Sequence, residues 1–204
     1  EGIIAFVEAT VSMSPDQTWP FPFDPALSAN GNRLAAGFRM GNRRLSTMTA
    51  SSPELRTMAT TAVAVLIDGG TLTLAHVGDS RIYRLRRGTL ERLTCDHSWV
   101  EERVRAGLLS EDQARNHRDR HIVTRAIDGR ENLEIDIEEL ALEPQDRLLL
   151  CSDGATAVLT DDEIREVLSR DSSLNDLCNA LVQGANDGGG PDNVTAIVLE
   201  INAV

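Results

Sequence analysis

Three aspartates stand where an apolar run meets glycine. Asp79 lies in His76-Val77-Gly78-Asp79-Ser80-Arg81, at the end of one apolar run. Asp153 lies in Leu149-Leu150-Cys151-Ser152-Asp153-Gly154, just past another. Asp192 lies in Gly188-Gly189-Gly190-Pro191-Asp192-Asn193, ahead of the last one. Carboxylates at strand ends, beside glycines that let the backbone come close, can converge on one rim of a sheet. An oxygen-only donor set suits Mg²⁺ or Mn²⁺ rather than zinc. Each aspartate also has a plain reading. Ser152-Asp153-Gly154 and Pro191-Asp192-Asn193 are ordinary turn sequences, and Asp79 can cap a bulge or pair with Arg81. What points to chemistry is the joint occurrence of three such positions in one chain.

The elements that must position them can be read from the apolar pattern. Ile3, Ile4, Val7 and Val11 recur at helical spacing. Pro15 and the loop Trp19-Pro20-Phe21-Pro22-Phe23-Asp24-Pro25 interrupt regular structure, and the aromatics of that loop pack down onto something. Ser28 or Asn30 caps a second helix reaching about Thr49, with Leu34, Phe38 and Leu45 on one face. Thr61–Asp68 and Leu72–Val77 flank a glycine turn and form a hairpin; Ile82–Leu85 and Leu90–Leu93 form another. Ser98 to Asn116 is helical and charged, broken at Gly107, and Leu133–Ala141 alternates in part. Arg147–Cys151 reads as a short buried strand. Thr160 and Glu163 make a capping box that opens a helix to Leu168. Leu174, Leu177, Cys178, Leu181 and Val182 mark an amphipathic helix, and Val194–Ile201 is a closing strand. Hairpins followed by helices predict an α+β layered domain with antiparallel sheet and helices on its outside.

Composition bounds the possibilities. At 204 residues the chain is expected to form one domain, residues 1–204, with two small ones as the alternative. With 20 Lys+Arg against 32 Asp+Glu the net charge is −12, which argues against a general nucleic-acid binder. No stretch reaches the ~18 apolar residues of a membrane span. Cys95, Cys151 and Cys178 are odd in number and lack CxxC spacing, so a reducing compartment is the simpler reading than a disulfide framework or a zinc site. The chain opens at Glu1 with no basic segment ahead of its first apolar run, which is not a signal peptide and reads as an excerpt of a longer chain or a processed product.

From about Met58 onward the sequence resembles the metal-dependent type-2C protein phosphatases, the PPM family of Ser/Thr phosphatases, in their compact bacterial form. Met58-Ala59-Thr60-Thr61 is similar to the family's Met-Gly-Thr-Thr, with alanine for glycine. His76–Arg81 matches His-Val-Gly-Asp-Ser-Arg, Asp96-His97 the Asp-His before the flap, Leu150–Gly154 the Leu-Cys-Ser-Asp-Gly, and Gly189–Thr195 the closing Gly-Gly-x-Asp-Asn-x-Thr.

The resemblance implies a four-layer α/β/β/α sandwich of two antiparallel sheets with a helix pair on each outer face. It implies hydrolysis of phosphoserine and phosphothreonine in proteins by a water that two divalent cations, Mn²⁺ or Mg²⁺, activate between them. Carried over residue by residue, Asp153 and Asp192 are ligands of the cation pair, Asp79 holds a third, weaker cation, and Asn193 orients Asp192. The expected partner is a phosphorylated protein, with no nucleic acid and no membrane, and the chain is expected to be monomeric and cytoplasmic.

Two family motifs are absent. One is Arg-x-x-Asn-x-Asp; the other is Asp-Gly-Met-Gly-Gly-His, whose Asp bridges both metals. Their absence leaves a second expectation, a non-catalytic phosphatase-like module that binds a partner, and a third, a fragment with unpaired sheet edges.

Trp99–Arg125 corresponds to the family's flap. It holds Arg115, His117, Arg118, Arg120, His121 and Arg125, a positive island that can steer phosphorylated substrate, with Arg118, Arg120 and Arg125 as the substrate-binding candidates. The alternative is a solvated helix face whose arginines pair with Glu111, Asp112 and Asp119. Trp99 is either the flap's anchor or core. His76 reads as a core residue, His97 as a local cap or hydrogen-bond partner, and Cys151 as an inert buried thiol.

Overall fold

The structure, a computed structural model, describes residues 2–10 and 19–203; Glu1, Val11 and Pro15 lie outside the described residues. In chain order the elements are α1 (Gly2–Thr10), α2 (Ala29–Ser51), β1 (Ala62–Asp68), β2 (Thr71–Val77), β3 (Arg81–Arg86), β4 (Thr89–Arg92), α3 (Trp99–Arg105), α4 (Glu111–Arg115), β5 (Asp136–Ala141), β6 (Arg147–Cys151), α5 (Asp153–Thr156), α6 (Asp161–Leu168), α7 (Leu174–Asp187) and β7 (Ala196–Glu200). Among the described residues the strands form two antiparallel sheets, ordered β1-β2-β5 and β4-β3-β6-β7. Each sheet has its own helices, so the chain is α+β. It divides into two compact units, Glu1–Gly78 with Arg125–Ala141, and Asp79–Thr124 with Leu142–Val204.

In the first unit β1 and β2 pair from Ala62↔Val77 to Asp68↔Thr71 across the two-residue Gly69-Gly70 turn. The Ser28 side chain caps α2 by accepting from the Gly31 N–H at 3.0 Å. Leu34 and Phe38 of α2 are buried with Val7 of α1, Ala75 and Val77 of β2, and Ile127, while Leu45 packs at the edge. Removing a side chain such as Phe38 from water is worth about 1.5–3 kcal/mol, enough to hold an amphipathic helix on a sheet. Trp19 and Phe23 of the proline-rich loop meet edge to face at 5.6 Å between ring centroids.

In the second unit the short run Arg147–Cys151 is a central strand, with β3 on one side and β7 on the other. Tyr83, Leu149, Ile164, Leu168, Leu177 and Leu181 form its core. The capping box of α6 is present in both directions. The Glu163 N–H donates to Thr160 Oγ1 at 3.3 Å, and the Thr160 N–H donates to Glu163 Oε2 at 2.8 Å.

Beyond shifts of one or two residues at strand ends, the structure departs from the sequence reading in two places. The alternating run Leu133–Ala141 becomes strand only from Asp136. Leu133 and Ile135 still pack on the apolar cluster, but Asn132 has a φ of 64° and the chain ahead of the strand is irregular. Burial alone there produces the alternation without a ladder. Asp153-Gly154, a turn by sequence, instead opens the single-turn helix α5.

Candidate metal centre

The register of β3 against β6 brings two of the aspartates level. Arg81 pairs with Cys151, and both strands stop there at the same end. Two further residues along each chain lie Asp79 and Asp153. Asp79 reaches this place through Gly78, whose φ is 109° and whose Cβ, if present, would lie 2.3 Å from Thr61 Cγ2. Only glycine fits both the dihedral and the gap.

Asp192 arrives through β7. Cys151 pairs with Ala196, and the ladder extends one step as the Ser152 N–H donates to the Thr195 carbonyl at 3.1 Å. Ser152 Oγ accepts from the Thr195 N–H at 3.0 Å and donates to the Asn193 carbonyl at 3.3 Å. Gly154 sits against the same backbone: a Cβ on it would lie 2.2 Å from the Asn193 oxygen and 3.4 Å from the Asp192 carbonyl carbon. Asp153 is therefore flanked by Asp79 on the β3 side and by the Asp192-Asn193 backbone on the β7 side. One Asp192 oxygen, Oδ1, accepts from the backbone N–H of Asn193 at 2.7 Å, so it is the main chain of Asn193 that holds this carboxylate.

Electrostatics set Asp79 apart. Burial, and then the charge of Asp153, push its carboxyl up to about 6. Asp96 adds to the push, while an Asp79 backbone hydrogen bond and Arg81 oppose it. An anion raised in this way is one that a cation stabilises. Asp79, Asp153 and Asp192 offer oxygen donors only, the kind that suits Mg²⁺ or Mn²⁺, but among the described residues their three carboxylates do not gather within 4.8 Å of one another. Cys151, two residues before Asp153, is buried, and that burial pushes its thiol up to about 12.

Sequence reasoning offered Arg81 as a partner for Asp79. The structure gives it to Asp96, with Arg81 Nε and Nη2 donating to the Asp96 carboxylate at 2.9 and 2.7 Å. Nη1 donates to the Tyr83 hydroxyl at 3.0 Å, and that hydroxyl donates to Asp161 Oδ1 at 3.1 Å. No spacing rule links Arg81 to Asp96; the Asp96-His97 motif was the one signal at that position.

In residues 98–116 Ser98 caps α3 and Ser110 caps α4 with a capping box to Gln113. Trp99 is an anchor between neighbours: its ring lies 5.0 Å from the His117 ring, and the Arg103 guanidinium stands 4.8 Å from the Trp99 ring centroid. Arg118 is exposed, with Asp119 3.4 Å away, and Arg120 is exposed. Arg125 belongs to the first unit and pairs with Asp136 at 3.0 Å and Glu134 at 3.4 Å. His76 and His97 are buried. No helix among the described residues is long and apolar enough to cross a membrane.

Comparison with known proteins places these features in a family. The family model described as Protein phosphatase 2C matches residues 27–188. The serine/threonine phosphatase stp of Listeria welshimeri is 36% identical over 161 residues, 79% of this chain and 64% of the relative. This chain thus spans just under two thirds of that relative's length. The crystal structure of the Mycobacterium tuberculosis serine/threonine phosphatase PstP/Ppp aligns with a TM-score of 0.83 at 33% identity, covering 98% of this chain and 80% of that one. The catalytic domain of PstP in complex with two manganese ions aligns with a TM-score of 0.79 at 31% identity, covering 98% and 81%. A match over most of the chain, including the strand ends that carry Asp79 and Asp153, has one consequence: this chain belongs to the protein phosphatase 2C family.

Proposed function

We propose that the chain hydrolyses phosphoserine and phosphothreonine in proteins, using Mn²⁺ or Mg²⁺ held by its strand-end carboxylates. The observation that carries this reading is the placement of Asp153 between Asp79 and the Asp192-Asn193 backbone. The names of the relatives and the manganese-bound PstP structure support it. When bound, the cations supply a water of lowered pKa and a Lewis acid for the phosphate oxygens.

The chain's own residues have distinct parts. Asp153 and Asp192 hold the cation pair, and Asp79 a third cation. The Asn193 N–H fixes the orientation of Asp192. Arg118 and Arg120 give a local positive field in a chain of net charge −12 and steer the phosphorylated segment. Arg125 contributes less, because Asp136 and Glu134 neutralise it. We place the chain in the cytoplasm as a monomer, in keeping with its three free cysteines.

The test is Mn²⁺-dependent hydrolysis of p-nitrophenyl phosphate and of a phosphothreonine peptide by this chain. Asp153→Asn and Asp192→Asn are each expected to lower turnover by a factor of about 100 or more. A folded chain with no turnover supports a non-catalytic phosphatase-like module instead.

A further inference from the structure

Arg81 begins β3 two residues after Asp79, and it pairs with Cys151, two residues before Asp153. A guanidinium at this place, if uncompensated, would act on both carboxylates as a fixed positive charge and oppose any divalent cation there. In the structure it is compensated. Asp96, from the connection between β4 and α3, takes Nε and Nη2 in a two-pronged contact, with 10% of its side chain and 18% of that of Arg81 exposed. Nη1 goes to the Tyr83 hydroxyl, so all three guanidinium nitrogens are engaged. The connection that carries Asp96 is also joined to β3 without this pair. The Leu93 N–H donates to the Ile82 carbonyl at 2.8 Å, and the Ile82 N–H donates to Thr94 Oγ1 at 3.1 Å.

We infer that Asp96 is a positioning residue for the strand-end carboxylates: by holding the Arg81 guanidinium it offsets that charge beside Asp79 and Asp153, and so sets how tightly they bind a divalent cation. This rests on the reading of Asp79 and Asp153 as cation ligands. It adds that the affinity is governed by a residue that touches no cation. The pair is largely shielded from water, where a unit charge acts over several ångströms with little screening.

The experiment is calorimetric titration of the 204-residue chain with MnCl₂, alongside Asp96→Asn, Arg81→Gln and the double variant, with thermal melts in EDTA to establish that each is folded. Asp96→Asn is expected to weaken Mn²⁺ binding about tenfold, by exposing these carboxylates to an uncompensated guanidinium. Arg81→Gln is expected to tighten binding, and the double variant to return to within about threefold of the parent. If Asp96 were only a staple between the connection and β3, the double variant would bind as weakly as Asp96→Asn, and that result overturns the inference. So does an Asp96→Asn chain that binds as the parent does. Should Asp96→Asn not fold, Arg81→Gln decides alone: tighter binding supports the inference, and unchanged or weaker binding overturns it. A folded parent chain that takes up no Mn²⁺ overturns the cation-site reading and this inference together. An unaltered Asp96→Asn on a parent that binds overturns this inference only.

Discussion

Gly154 is pressed against the carbonyl of Asn193, so closely that a single added methyl group would lie 2.2 Å from the oxygen. This contact joins the segment that bears Asp153 to the segment that bears Asp192. The atom in the way is backbone, which cannot swing aside as a flexible side chain can. Gly154→Ala is therefore expected to displace residues 192–193, to lower stability by about 1–3 kcal/mol, and to weaken Mn²⁺ uptake. Urea denaturation and a calorimetric Mn²⁺ titration measure the two effects. An alanine variant equal to the parent in both would remove this contact from the account of the site.

Asp146 has a buried side chain that receives Arg86 Nε at 2.7 Å and Nη2 at 2.6 Å, and the Glu143 N–H at 2.8 Å. Burial pushes its carboxyl up, but the Arg86 hydrogen bond leads the contacts that outweigh burial, and the group ends below the ordinary carboxylate range. A carboxyl lowered by folding stabilises above its unfolded pKa, and that contribution is lost as the pH falls through the folded value. Asp146→Asn is thus expected to cost about 3 kcal/mol at neutral pH. The difference from the parent should shrink as the pH drops below about 4. Chemical denaturation of both chains from neutral to acid pH checks it, and a difference that stays constant with pH would contradict it.

The thiols are expected to differ in reactivity. Cys151 is buried and its thiol is pushed up to about 12 by that burial, whereas Cys95 and Cys178 are half-buried. Thiolate is the reactive form. With Ellman's reagent at about pH 8, close to an ordinary cysteine pKa, Cys151 should stay unmodified in the folded chain and react on denaturation. Peptide mapping after alkylation identifies the site, and early labelling of Cys151 would refute its assignment as inert.

Trp99 ties α3 to the segment after α4 through the His117 ring, and the Arg103 guanidinium, one turn along the same helix, stands over the Trp99 ring. Contacts of this kind are worth about 0.5–1 kcal/mol each, enough to hold a short surface segment and too little to hold a domain. Trp99→Ala should leave the melting temperature of the chain nearly unchanged while speeding tryptic cleavage after Arg115, Arg118 and Arg120. Mass spectrometry of a timed digest gives the comparison. Equal cleavage rates would show that the segment is held by other contacts.

Much of this protein was legible before any coordinate. The two hairpins, the central run Arg147–Cys151, the capping box of Thr160 and Glu163, and the three aspartates at strand ends could all be read from residue type and spacing. Each rests on interactions within a few residues: turn geometry, cap hydrogen bonds, and the period of apolar side chains. The tertiary structure decided the rest. β2 and β3 are neighbours in sequence yet join different sheets. The register Arg81↔Cys151 carries Asp79 level with Asp153, and Gly154 meets Asn193 across 39 positions. Arg81 is claimed by Asp96 rather than by its near neighbour Asp79. Strand order and register are chosen by the burial of whole faces, and a charged side chain pairs with whatever that choice brings within reach. Residue types alone therefore marked the carboxylates at the strand ends, and only packing determined that Asp79 stands level with Asp153 and that Arg81 pairs with Asp96.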